Sequence, residues 1–350
     1  MAPCNMTWIK YPSHDFLNPS ISIEDVIASQ SIISRALHCY VAFFIPAGLI
    51  AGLLILAIFF RHYSRHKTSE KLAILMLDLV ITDIAIVLFS FTTISRPNYL
   101  EATNLSCGLL SFVFNIFYFN SQFLQTLMLF LLLLQGNEHR ASLVTGASPL
   151  LWVSLPLALA FLGSLVAVAL LGTAACLHEK TYCQTDPLNA WPEYDIVKFS
   201  FGFAIPSFFN VVFLVLILVK LVKAEALSKE NVPSPTVMLC IGFTTLACRL
   251  FYNVMLLHRT ALKLQRLNGS PREELIMNAA ELVLFSESSV TLLFVLFLHK
   301  PYKDAAWSSI QYLRQKCRRN ETANSSGASP AAIEIEDVNV SRRSHTIPAT

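Results

Sequence analysis

The sequence predicts an all-α membrane protein, a bundle of seven transmembrane helices with a short interfacial helix after it. Two observations carry this. Of 350 residues, 54% are hydrophobic and only 14% charged, and the mean hydropathy is +0.55. A soluble chain of that length needs far more charge to cover its surface. The apolar residues also collect into seven runs, each long enough at ~1.5 Å per residue to cross a ~30 Å hydrocarbon core. Membrane lipid is therefore the expected surroundings. A net charge of +3 is too small to point to a nucleic-acid partner.

Residues 1–36 read as an extracellular tail, polar and without the apolar stretch of a signal peptide. Asn5-Met6-Thr7 in it is an N-glycosylation acceptor. The bundle is expected over 37–299. Span 1 covers about His38 to Phe60 and is followed by the basic cluster Arg61, Arg65, Lys67 and Lys71. Span 2, Leu72 to Phe91, is nearly unbroken apolar sequence that nonetheless carries Asp78 and Asp83. Span 3 starts after Cys107 and runs to about Leu134, and span 4 covers about Leu150 to Ala174. Span 5 runs from about Asp195 to Val222 with Pro206 inside it. Spans 6 and 7 cover about Val237 to Leu257 and Leu275 to Leu298. Over 300–317, Tyr302, Ala306, Ile310 and Leu313 recur at helical spacing opposite basic residues, the pattern of an amphipathic helix at the membrane face. Cys317 follows as a palmitoylation candidate. Residues 318–350, rich in Ser, Asn and Ala, read as a disordered cytoplasmic tail.

Lys and Arg favour the cytoplasmic side. Arg61, Arg65, Lys67, Lys71, Arg140, Lys220, Lys223, Lys229 and the group from Lys300 to Arg319 fall together on one side. The stretch between spans 6 and 7 goes against this, with Arg259, Lys263, Arg266 and Arg272. The acceptors at Asn104 and Asn268 lie in loops on the other side, as does Asn5. The expected placement is the plasma membrane, with the N-terminus outside and the C-terminus in the cytoplasm.

Several residues resemble the rhodopsin-like G-protein-coupled receptors over about Leu37 to Cys317. Leu79-Val80-Ile81-Thr82-Asp83 looks like that family's second-helix motif, whose Asp binds a sodium ion, and Ser121 matches the serine of the same pocket. Cys107 and Cys183 match the family's disulfide, and Trp152 and Pro206 match two further landmarks. The resemblance implies an extracellular ligand, with heterotrimeric G protein or arrestin as the inner partner. The departures are as informative. Gly52 stands where span 1 should hold Asn, and Leu131-Leu132-Leu133 replaces the acidic-Arg-aromatic triplet. Ala247-Cys248-Arg249 replaces the Cys-Trp-x-Pro hinge, and Val290-Thr291-Leu292-Leu293-Phe294 replaces Asn-Pro-x-x-Tyr. Leu214 stands for the span 5 tyrosine. The implied function is a divergent receptor that signals atypically, with a non-signalling scaffold or decoy as the alternative and a transporter behind it.

For the disulfide, Cys107–Cys183 is the expected pair, against free thiols or Cys176 in place of Cys183. Asp83, with Ser121, Ser286 and Glu287, reads either as a cation or proton site, with sodium as the ion, or as a neutral polar network holding helices together. No other cofactor is expected. Arg249 inside span 6 is expensive unpaired, so an ion pair with Glu281 or Glu287 follows. It is either a latch between spans 6 and 7 or a fixed bridge. Lys198 and Arg259 are candidates for drawing an anionic ligand, with snorkelling to headgroups as the alternative for Lys198. The aromatic run Phe112, Phe114, Phe117, Tyr118 and Phe119 reads as helix packing. No catalytic set is expected, since all nine His lie outside the span interiors and a zinc hydrolase would need ligands within them.

Overall fold

The computed structural model describes residues 11, 22–66, 71–94, 100–134, 148–172, 176–183, 185–186, 188, 190–222, 235–308, 311 and 314–315. Among the described residues, seven helices are long and apolar enough to cross a membrane, so the chain is a multi-pass, all-α membrane protein. They belong to one compact unit, Met1–Ala306. In the second unit, Trp307–Thr350, the described residues are helical.

Span 1 is α1 (Ile23–Cys39), a π turn (Tyr40–Phe44) and α2 (Ile45–His66) in one run. Helix therefore begins at Ile23, inside the stretch 1–36 expected as a tail. Its start follows local chemistry: Ser22 is extended, and Glu24 and Asp25 sit in the first turn, where acidic groups favour the helix dipole. This stretch is amphipathic rather than apolar, so hydropathy alone does not find it. Span 2 is α3 (Lys71–Ile94) and span 3 is α4 (Asn104–Leu134). Span 4 is α5 (Pro149–Ala169), opened by Ser148, whose side chain accepts from the Leu151 backbone N–H. Span 5 is α6 (Pro192–Phe199), a second π turn (Ser200–Ala204) and α7 (Ile205–Val222).

Both π turns end two residues before a proline, Pro46 and Pro206. Proline lacks an N–H, and its ring crowds the carbonyl four residues back. A widened turn relieves that crowding without ending the helix.

Span 6 is α8 (Pro235–Gln265), and span 7 is α9 (Pro271–Leu298). Ser270 and Glu273 form a capping box at the start of α9, with Pro271 in the first turn. Span 6 thus outruns its expected end at Leu257 by two turns, and Arg259 and Lys263 stand on helix rather than loop. A further helical stretch covers 300–308.

Helix α4 lies at the centre, packed on α3, α5, α7 and α8, while α2 closes the ring between α3 and α9. Before α4, β1 (Leu100–Thr103) pairs antiparallel with β2 (Lys180–Cys183), placing Leu100 opposite Cys183. The half of the bundle away from this ribbon is apolar, with Ile55, Leu75, Leu124, Met128, Leu132 and Leu292 fully buried. The buried charges gather in the ribbon half and the middle.

Candidate functional site

The ribbon delivers the site. Cys183, at the end of β2, is disulfide-bonded to Cys107 in the first turn of α4, with a Cα–Cα distance of 5.7 Å. Cys176 is disulfide-bonded as well and does not displace Cys183. Just beyond the bridge, Thr185 and Asp186 are fully buried. Ser111 on α4 donates to the Thr185 carbonyl (3.1 Å), and the Thr185 hydroxyl donates to Glu281 Oε1 on α9 (2.8 Å). The chain after the disulfide is thereby held between α4 and α9, and it carries Asp186 into the bundle mouth.

Asp186 meets Lys198 there. Lys198 Nζ donates to Asp186 Oδ2 at 2.6 Å, and both side chains are fully buried. The Tyr194 hydroxyl donates to Asp186 Oδ1, Asn115 donates to the Tyr194 oxygen at 2.8 Å, and Tyr252 donates to Oδ2 at 3.4 Å. Burial pushes the Asp186 carboxyl up, but Lys198 and Arg259 together hold it below the usual carboxylate range. The Lys198 ammonium also sits 5.0 Å from the Phe114 ring centroid, 5.6 Å from Tyr118, 5.4 Å from Tyr252 and 6.0 Å from Tyr194. Two members of the span 3 aromatic run, Phe114 and Tyr118, therefore face a cation as well as packing. Lys198 does not snorkel, since it is fully buried.

One turn nearer the ribbon, Asp195 in the first turn of α6 accepts from Lys263 Nζ (2.7 Å), Thr260 (3.2 Å) and Arg259 Nη2 (3.3 Å). Lys263 also donates to the Ala190 carbonyl at 3.0 Å. Two of the four basic residues that went against the charge bias, Arg259 and Lys263, are thus neutralised inside the fold, while Arg266 and Arg272 are exposed. Lys198 and Arg259, the two residues expected to draw an anionic ligand, are paired here with the chain's own carboxylates. Arg259 nevertheless keeps unspent capacity: its Nε and Nη1 are buried with no hydrogen-bond partner among the described residues.

Deeper in the bundle, Arg249 pairs with Glu287, its Nε 2.9 Å from Oε2 and 3.2 Å from Oε1. Arg249 Nη1 donates to the Tyr118 carbonyl (2.9 Å) and Nη2 to the Ser121 hydroxyl (3.0 Å). The pairing choice left open by the sequence falls to Glu287. Glu281 belongs to the Thr185 contact nearer the ribbon. A single stripe of α8 supplies these groups, with Arg249, Tyr252, Asn253, Leu256, Arg259, Thr260 and Lys263 all buried, as a helical period of 3.6 requires.

Asp83 is the exception. It is 1% exposed, and neither oxygen has a hydrogen-bond partner among the described residues. Ser288, rather than Ser286, is the hydroxyl beside it, while Ser286 donates back to Leu282 on its own helix (2.7 Å). Ser121 is taken up by Arg249. An orphaned carboxylate would suit a cation, and the Arg249 guanidinium stands in electrostatic reach of Asp83. Among the described residues no group of three or more His, Cys, Asp or Glu could hold a metal ion.

The modification candidates divide. Asn104 is buried, and its Nδ2, the atom a glycan would occupy, donates to the Cys176 carbonyl at 2.9 Å, so the folded chain does not offer it. Asn268 is exposed in the α8–α9 turn. Asn5 and Cys317 lie outside the described residues. The sequence reading missed Asp186, Tyr194 and Tyr252, and it gave Asp195 no role. Set against known proteins, the chain matches no protein-family model and no curated protein at a significant level.

Proposed function

We propose that this chain is a plasma-membrane receptor of the rhodopsin-like seven-helix type. Its ribbon end would be outside, and it would signal atypically through G protein or arrestin. The observation that carries the reading is Tyr118. Its ring stands 5.6 Å from Lys198 Nζ and 4.6 Å from the Arg249 guanidinium carbon, and its hydroxyl accepts from Asn253 at 2.8 Å. One side chain thus belongs both to the charge network under the disulfide and to the α8–α9 pair in mid-bundle. A ligand-driven change in the first has a direct physical contact with the second, and two-state movement of α8 against α9 is what an inner partner would sense.

The resemblance supports this reading, and the Cys107–Cys183 bridge that it implies is present in the fold. A second reading has its own observation. Arg249 ties α8 to α9 and α4 through four hydrogen bonds, two of them to Glu287. A cross-link so well satisfied suits a bundle that never switches, acting as scaffold or decoy.

Recruitment of a panel of G proteins and arrestin at matched surface expression separates the two, with Arg249→Leu and Asp83→Asn beside the native chain. Recruitment above mock that changes with Arg249→Leu supports the receptor. Absence of recruitment at good surface levels sinks it and leaves the scaffold.

A further inference from the structure

Four aromatic side chains around an ammonium are the usual means of capturing a soluble cation. Here the cation is covalently part of the chain. Lys198 Nζ stands 5.0–6.0 Å from the centroids of Phe114, Tyr118, Tyr252 and Tyr194, so the exchangeable partner in this box is the anion. That anion is Asp186, which reaches the box from the chain segment after β2 rather than from any helix lining it. The site is also richer in donors than Asp186 uses. Arg259 Nη2 approaches Asp186 Oδ2 only to 4.0 Å, and Arg259 Nε and Nη1, fully buried, have no partner among the described residues.

We infer that the Lys198–Arg259 pocket is a binding site for small carboxylates, and that Asp186 is a tethered ligand occupying it in cis. The carboxylate is the fitting class for three reasons. The resident group is one. Lys198, Tyr194 and Tyr252 donate to its two oxygens in the way a free carboxylate would receive them. A guanidinium with idle N–H groups beside that place favours a planar, two-oxygen anion over a spherical one. A soluble carboxylate that takes the place must displace Asp186, and in exchange it can reach the Arg259 donors that the short Asp side chain leaves unspent. Use of the site to trigger signalling rests on the receptor reading above. Occupancy of the site does not.

Chemical rescue tests it. In Asp186→Ala, Lys198 is left facing its rings without a counter-ion, and the room of a carboxylate opens beside it. The full chain is purified in lipid nanodiscs, and its Tm is followed against formate and acetate, with methylammonium chloride at equal ionic strength as the control. The expected result is a Tm well below native that recovers in a dose-dependent, saturable way with formate or acetate, because an anion binding only the folded state stabilises it. Asp186→Ala/Lys198→Met should show no such recovery. A flat Tm in Asp186→Ala, or equal recovery in the double variant or with the control salt, overturns the proposal. If Asp186→Ala does not fold, the titration is run on Asp186→Ser, which keeps an acceptor for Tyr194 and still opens the place of the second oxygen; its outcomes read the same way. Recruitment is measured on the rescued variant in parallel. Tm recovery without any recruitment, with or without carboxylate, would keep the binding site and sink the receptor reading, so the two fail separately.

Discussion

Two buried charge clusters share this bundle and are built on different terms. Near the disulfide, the three carboxylates Asp186, Asp195 and Glu281 stand with the three cations Lys198, Arg259 and Lys263, and each carboxylate receives at least one side-chain donor. In mid-bundle, one cation, Arg249, stands with two carboxylates, and only Glu287 is bonded to it. The first cluster joins a loop and three spans, so it holds pieces together that hydrophobic packing alone does not define. The second joins helices already packed side by side. Burial of charge is therefore cohesive where every carboxylate receives a donor, and merely tolerated at Asp83, which has none among the described residues.

The sharpest way to break this contrast is to remove Arg249. Arg249→Leu leaves Glu287 unpaired beside Asp83, and uncompensated buried charge costs about 3–5 kcal/mol. Glu287→Gln should cost clearly less, because the guanidinium keeps the Tyr118 carbonyl and Ser121 and has Asp83 in reach. Thermal unfolding in nanodiscs reads both, and equal losses would mean that Asp83 contributes nothing to the balance. Next in size, Asp195→Asn withdraws the anion shared by Arg259 and Lys263, with an expected loss of about 3 kcal/mol that Lys263→Met should partly restore. A loss under about 0.5 kcal/mol, the ordinary range of surface substitutions, would put the network among incidental contacts.

A third measurement separates both clusters from the rest of the molecule. Burial holds the His299 imidazole down at about 4, against 6.5 for the free group. The folded chain thus takes up this proton later than the unfolded chain as pH falls. The stability His299 contributes is fully present above pH ~6.5 and is lost as pH falls from there towards ~4, by about 1–2 kcal/mol at pH ~5. His299→Phe should flatten the Tm profile across that window, and an unchanged slope would place the acid sensitivity elsewhere. The smallest effect is expected at Asp83. With no hydrogen bond to lose, Asp83→Asn should change stability by less than about 1 kcal/mol in either direction. A loss comparable to Asp195→Asn would show that Asp83 has a partner in solution.

The fold was largely legible in the sequence, because long apolar runs and a ~30 Å bilayer leave little choice of element. What escaped were the ends. Ile23–Ala36 hides its helix in an amphipathic pattern, and the last two turns of α8 hide theirs behind Arg259 and Lys263. Basic residues at the end of an apolar run read as loop when their counter-ion lies more than 60 positions earlier, as Asp195 does. The Cys107–Cys183 bridge was legible by resemblance and Arg249 by cost, whereas Asp186 was not. It sits in an irregular polar stretch with no periodicity to mark it, and only the disulfide beside it and the spacing of α8's inward stripe hinted that a carboxylate was needed there. Asp83 was legible as a problem, whereas the bonding of Ser121 to Arg249 and of Ser286 to its own helix was not.

The two π turns have a consequence of their own. Each adds one residue to a turn, and one residue is about 100° of rotation around a helix. Span 5 is thus two helical segments set out of phase, with Lys198 on one side of the offset and Asn210 on the other. Gly202 sits within the offset, where an added Cβ would run into the Tyr118 ring. Deleting a single residue from Ser200–Ala204 would leave composition and hydropathy almost untouched. It would nevertheless turn the Lys198 face away from Asp186 by roughly a quarter of a circle, so the charged mouth of this bundle depends on the counting of its residues as much as on their identity.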